Sequence, residues 1–243
     1  MTKIVTCHSR KGGVGKSTLA YELAWLLDAP LIDLDWEGGT VTKRWGYRWQ
    51  DHARSAVADA VEHQRTPRLL SGRPSRRPDL VPGHADFKLE QPDADDMADA
   101  IQKWAGEWGR EYVVIDTHPG ADSATNGALA VSNAVVVPVP MKVMDLYGTE
   151  ATLDELVGYP LVLAPNIVPR APSRKMLDML RASVNRPGMS AQIAPLIPDG
   201  GRPVYERTRR MALTAQTPAP KNVAAVVAGL DRLARFVREY TSD

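Results

Sequence analysis

The chain has 243 residues with a formal net charge of +1, 44% hydrophobic and 24% charged. This is ordinary globular material, so any polyanion-binding surface must be a local patch rather than the whole molecule. The lone cysteine, Cys7, excludes an internal disulfide and any multi-cysteine metal or iron–sulfur site within one chain. The densest apolar run, 134–140, is short and broken by prolines, well below the ~20 residues of a membrane span, and the N-terminus lacks a signal peptide's apolar core, so a soluble, cytoplasmic protein is expected.

A continuous apolar run predicts a first strand over 3–9. Directly after it comes Arg10-Lys11-Gly12-Gly13-Val14-Gly15-Lys16-Ser17-Thr18, opening a helix over 17–27. The small residues let backbone N–H groups approach phosphate oxygens, and the helix N-terminus adds its dipole. This is a phosphate-binding loop: Lys16 would reach the β/γ-phosphates and the Ser17 hydroxyl would ligate Mg²⁺. It departs from the usual pattern by placing Arg10 where the first glycine belongs and by carrying a second lysine, Lys11. That lysine cannot easily share phosphates already held by Lys16, but it can reach across a face-to-face dimer.

Further along, strands are predicted at 31–35, 80–82, 112–116, 134–139, 161–164 and 191–197. Helices are predicted at 52–63, 95–108, 149–157, 173–184, 205–213 and 222–240. Most strand runs are continuous rather than alternating, as in strands covered on both faces. The alternation predicts an α/β fold, a doubly wound, mostly parallel sheet with helices on both sides. Residues 64–77, with five arginines and no acids, read as an excursion within a single domain spanning 1–243. Candidate carboxylates end two strands: Asp33 and Asp35 in Leu31-Ile32-Asp33-Leu34-Asp35, and Asp116 in Tyr112-Val113-Val114-Ile115-Asp116.

The loop Lys11-Gly12-Gly13-Val14-Gly15-Lys16-Ser17-Thr18 resembles the deviant Walker A box of the ParA/MinD family of P-loop ATPases. The two aspartates after the second strand resemble that family's second box, and the strand ending in Asp116 its Walker B strand. The resemblance implies ATP and Mg²⁺ as cofactors and a nucleotide-sandwich homodimer. Lys16 would hold its own nucleotide and Lys11 the partner's. Ser17 would bind Mg²⁺ with Asp116 behind its water shell, Asp35 would orient the attacking water, and Asp33 would lie near the metal or shape the loop. Asn166, Pro198 and Asp199 fall where family members contact adenine, or are turn residues chosen for backbone geometry. Two departures bear on hydrolysis: Trp36-Glu37-Gly38-Gly39 replaces the usual proline and glutamine, and His118 interrupts the two prolines after Walker B.

Between Asn166 and Arg210 nine basic residues face three acidic ones. Arg170, Arg174, Lys175, Arg202, Arg207, Arg209 and Arg210 are candidate DNA contacts, since non-specific binding needs such a patch; a solvated arginine face is the alternative. With the first strand at Lys3, no helix-turn-helix is expected ahead of the loop, which resembles the short ParA class. The last helix reads as docked rather than membrane-binding. Arg44-Trp45-Gly46-Tyr47-Arg48-Trp49 reads as packing more than as a stacking platform. The resemblance therefore implies a nucleoid-associated DNA-segregation ATPase stimulated by a ParB-like centromere-binding protein. The alternatives are a MinD-like or cargo-positioning ATPase, and an ATP-dependent metabolic ligase on the same fold.

Overall fold

The computed structural model describes residues 1–37, 40–202, 204 and 211–242. Seven strands, all parallel, form one sheet: β1 (Lys3–Cys7), β2 (Leu31–Asp33), β3 (Leu80–Val81), β4 (Tyr112–Asp116), β5 (Ala134–Pro140), β6 (Leu161–Asn166) and β7 (Ala191–Ile193), in the order β3-β2-β4-β1-β5-β6-β7. The helices are α1 (Lys16–Leu26), α2 (Thr40–Trp45), α3 (Ala56–Glu62), α4 (Ala94–Trp108), α5 (Ser123–Ala130), α6 (Val143–Glu155), α7 (Arg174–Val184) and α8 (Ala224–Tyr240).

Strand parity explains why the runs are apolar throughout. Val5, Cys7, Val114, Val136 and Val162 face one side, where α1 and α8 cover them. Their neighbours Ile4, Val113 and Ile115 face the other, under α3, α4 and α5. Val135, Val137, Leu161 and Leu163 continue that second face under α6 and α7. Strands β1 to β6 are thus buried on both sides, as parallel sheets require, whereas the edge strand β7 is only partly covered, with Gln192 exposed. The expected doubly wound α/β fold is the one observed.

The boundaries differ from expectation in places. Two helices, α2 and α5, have no counterpart among those expected from sequence. The helix expected from 52 starts at Ala56, because Ser55 caps it by accepting from Ala58 N at 3.3 Å. The helix expected from 149 starts at Val143, and the strand expected through 197 ends at Ile193. Of the helix expected over 205–213, residues 205–210 lie outside the described residues, and Leu213–Ala215 is a 3₁₀ turn.

α8 is docked, with Val226, Val227, Leu230, Leu233, Ala234 and Val237 buried against α1 and the sheet. Among the described residues no helix is long and apolar enough to cross a membrane. Two of the five arginines of the 64–77 excursion, Arg73 and Arg77, serve packing, while Arg65, Arg68 and Arg76 are exposed. Arg73 lies over the Trp25 ring and donates to the Ala24 and Trp25 carbonyls at 3.2 and 3.0 Å, where the α1 dipole is negative. Arg77 lies over Trp45, whose indole N–H donates to Pro78 O at 2.8 Å. Trp45 of the aromatic–basic cluster after β2 is therefore built into the fold, whereas Arg48 is exposed.

Candidate functional site

The site lies beyond the carboxyl ends of β1, β2, β4 and β6, where open α/β sheets place their ligands. The loop between β1 and α1 reaches its helix through Gly15, whose φ of +96° is left-handed. A Cβ at Gly15 would also run into the Asn166 side-chain amide. Glycine is thus favoured there by conformation, and any Cβ would also displace the Asn166 amide. No side chain caps α1, so its first-turn N–H groups face the loop's concavity unclaimed by a cap.

A cavity of about 620 Å³ opens at this loop. Lys11, Gly12, Gly13, Gly15, Lys16, Ser17 and Thr18 line its polar end, with Asp35 and Glu37 beside them. Val14 is buried beneath the loop instead. The far end is apolar, walled by Ile167, Ile197, Val204, Leu213, Val226 and Leu230, with Pro198 and Asp199 at its edge. Sequence alone does not single out those apolar residues. They come from four separate segments and look like ordinary core until the fold gathers them.

Lys16 is buried, and its ammonium donates to Asp116 Oδ1 at 3.0 Å and to the Thr117 carbonyl. Burial alone would lower its pKa, but the carboxylates of Asp116, Asp35 and Asp33 raise it, so Lys16 is a cation. For Asp116 burial pushes the carboxyl upward, while the Lys16 charge and a hydrogen bond from Ser17 pull it back. The second oxygen, Oδ2, is buried with no partner among the described residues. A buried acceptor left open next to Ser17 fits an octahedral Mg²⁺ ion that keeps its own waters and takes few protein ligands. Among the described residues there is no group of three or more His, Cys, Asp or Glu that could hold a metal ion.

The two aspartates after β2 are differently committed. Asp33 accepts at Oδ2 from Thr42 N at 2.9 Å and from Thr42 Oγ1 at 2.6 Å, and at Oδ1 from Asp35 N at 3.1 Å. Thr42 Oγ1 in turn accepts from Gly83 N at 2.8 Å. Of the two roles the sequence allows for Asp33, these bonds describe the one that shapes the loop. Its carboxyl is pushed upward, chiefly by burial and then by the Asp116 charge. Asp35 instead lines the cavity, with its Oδ1 accepting from Glu37 N at 3.1 Å.

Asn166 meets the cavity too, but its amide donates to Val14 O at 3.1 Å and its oxygen accepts from Ile167 N at 2.8 Å. It braces the phosphate loop from β6. Of the candidate DNA contacts, Arg170, Arg174, Lys175 and Arg202 are exposed and do not line the cavity, although Arg202 follows Gly201, which does. Arg207, Arg209 and Arg210 lie outside the described residues.

A phosphate loop at the carboxyl edge of a parallel sheet, with a buried lysine on a strand-end aspartate, defines the P-loop nucleotide-binding class. Within that class, the family model described as "AAA domain" matches residues 2–158, and the chain belongs to that family. A curated relative, the chromosome partitioning protein ParA of Myxococcus xanthus, is 28% identical over 159 residues. The match takes in 60% of this chain and about half, 55%, of the relative's length. The fold is also that of solved structures of low identity. The cell division ATPase MinD of Pyrococcus furiosus has a TM-score of 0.74 at 16% identity, covering 98% of this chain and 99% of that one. A plasmid partition protein of Borrelia burgdorferi, bound to AMPPNP, has 0.71 at 18%, covering 98% and 100%. Cobyrinic acid a,c-diamide synthase of Mycobacterium smegmatis, with ADP and magnesium, has 0.68 at 19%, covering 100% and 96%.

Proposed function

We propose that this chain is a DNA-segregation ATPase, one P-loop ATPase domain over 1–243. ATP with Mg²⁺ would draw two copies into a face-to-face sandwich, and that dimer would bind DNA without sequence preference. A ParB-like centromere-binding partner would stimulate hydrolysis and release. The observation that carries this reading is the contrast between two lysines of one loop. Lys16 is only 5% exposed and points inward at Asp116, whereas Lys11, also in the lining of the cavity, is exposed. A solvent-exposed cation in a phosphate loop suits a nucleotide bound by a second copy.

In this reading Lys16 and the loop amides hold the phosphates, and Ser17 and Asp116 hold the magnesium through its water shell. The ion would supply charge neutralisation at the β- and γ-phosphates. Asp35, the strand-end carboxylate lining the cavity, would orient the attacking water. Phosphoryl transfer of this kind depends on positioning and electrostatics, so turnover is slow until a partner completes the site. The apolar end of the cavity would take the base, with Asn166, Pro198 and Asp199 at its rim. Arg170, Arg174, Lys175 and Arg202 would contribute to the DNA surface, with Arg207, Arg209 and Arg210 beside them in sequence. A nucleoid-associated, cytoplasmic location follows from that surface.

Light scattering with Mg-ATP or a non-hydrolysed analogue tests the dimer. Wild type should double in mass, Lys11→Ala should remain monomeric while still binding nucleotide, and co-sedimentation with unrelated duplex DNA should follow the dimer. An unchanged Lys11→Ala dimer would refute the role assigned to Lys11. A ligase such as the diamide synthase would instead need a small acid or amine for turnover, so ATPase activity without one argues against that alternative.

A further inference from the structure

Trp36 and His118 sit on different loops, one after β2 and one after β4, and each is where the chain departs from its resemblance to the ParA/MinD boxes. The fold brings these two departures together. Their rings stack with centroids 3.8 Å apart and planes inclined by 13°. The strands beneath are in register, Asp33 opposite Asp116, with Leu34 N donating to Asp116 O at 2.9 Å. The stack therefore joins the segment bearing Asp35 to the segment bearing Asp116 just above that seam.

Glu37 extends the arrangement. Its backbone N–H donates to Asp35 Oδ1 at 3.1 Å, and its carboxylate lies 3.6 Å from His118 Nε2. Asp122 Oδ2 lies 3.9 Å from the other ring nitrogen. His118 Nε2 and Trp36 Nε1 are buried without hydrogen-bond partners among the described residues. The Glu37 carboxylate is just beyond hydrogen-bond reach of the first of these. A contraction of a few tenths of an ångström would satisfy it, and such bonds commonly tighten once the substrate is in place.

We propose that Trp36, His118 and Glu37 form a clamp that positions Asp35, with the His118–Glu37 hydrogen bond made only when nucleotide draws the two loops together. All three are positioning residues, acting on the attacking water through Asp35. Two single departures from the family pattern thus become one compensated pair: the ring after β4 is there to receive the ring after β2.

The inference rests on the hydrolysis reading, so its test separates the two. Turnover and KM for Mg-ATP would be measured on the full chain for wild type, His118→Ala and His118→Phe. The Trp36 emission would be taken as the difference between wild type and Trp36→Phe, with and without Mg-ADP. His118→Ala should lower kcat about two- to tenfold, the range of one aromatic stack, with KM unchanged. His118→Phe, which keeps the stack but not the hydrogen bond to Glu37, should recover part of the loss. Removing the ring should shift the Trp36 emission in nucleotide-free protein, and Mg-ADP should shift it further in wild type alone. Wild-type kcat in His118→Ala, or a Phe variant as slow as Ala, would overturn the clamp. A wild type that binds nucleotide without turnover would overturn the hydrolysis reading. The clamp would then be judged by emission, and a Trp36 signal indifferent to both His118 and Mg-ADP would refute it.

Discussion

His8 follows β1 directly, with its ring 2% exposed and its Nδ1 2.9 Å from Thr117 Oγ1. Because Thr117 Oγ1 donates to the Cys7 carbonyl at 3.2 Å, it accepts from His8, which places the proton on Nδ1. Burial, then the charges of Lys16 and Arg10, hold the imidazole pKa down at about 4, from an ordinary 6.5. Between those values the unfolded chain takes up a proton at His8 that the folded chain refuses, so stability falls as pH falls through the window. At pH 5 the loss from this group alone is about 2 kcal/mol relative to pH 7.5. Urea unfolding of wild type and His8→Gln at the two pH values checks it. The variant should lose about 2 kcal/mol less on acidification, and parallel losses would show that His8 is not responsible. No feature of the sequence singles out His8, since its environment depends on Lys16 and Thr117 arriving from other segments.

Between elements, the interaction with most at stake is Glu22 on α1 with Arg44 on α2. Glu22 is fully buried and accepts from the Arg44 guanidinium, from Leu213 N at 2.9 Å, from Thr214 N at 3.0 Å and from Thr214 Oγ1 at 2.8 Å. Arg44 lies over the Tyr21 ring at 3.9 Å, yet its Nε and Nη1 are buried without partners among the described residues. The two ends are therefore unequal. Glu22→Ala strands a buried cation and should cost about 3–5 kcal/mol. Arg44→Met keeps the stem on Tyr21 and leaves Glu22 three donors, so about 1–3 kcal/mol is expected. Denaturant unfolding measures both, and equal costs would contradict the asymmetry. This pair also marks where sequence reading stops. The phosphate loop is legible because glycines, lysine and hydroxyl sit within nine consecutive residues, and the strands because both faces are apolar. Glu22, Arg44 and Thr214 are far apart in the chain, and nothing local pairs them. α5 escapes notice for another reason: its small residues suggest a loop, whereas Gly127 is small so that α5 can close on α4, where a Cβ would come within 2.8 Å of Met97 Cβ. Likewise nothing local in the sequence shows that Asp33, placed near the metal or shaping the loop, accepts at Oδ2 from Thr42, nine residues on.

Over the whole molecule, charge is distributed unevenly. A chain of net +1 has nine basic and three acidic residues between Asn166 and Arg210. On α7 the apolar side is fixed by Met176 and Leu180 against the second sheet face, which leaves Arg174, Lys175, Asp178 and Arg181 outward. Asp178 is shared between Arg174 at 3.8 Å and Arg181 at 3.5 Å, and Arg186 pairs with Asp154, so part of the excess is internally compensated. What remains decides between a solvated face and a DNA surface, because only the latter releases counterions on binding. Each phosphate bound by a basic side chain adds about −0.9 to the slope of log affinity against log salt concentration. Replacing Arg174, Lys175 and Arg181 together by glutamine should weaken ATP-dependent binding to unrelated duplex DNA. It should also flatten that slope by about 0.9 for every phosphate no longer neutralised, while nucleotide affinity stays at the wild-type value because none of the three lines the cavity. A titration of binding against salt reads both effects at once. Weaker binding at an unchanged slope would mean that α7 acts by holding the fold rather than by touching phosphates, and unchanged binding would move the DNA surface off α7.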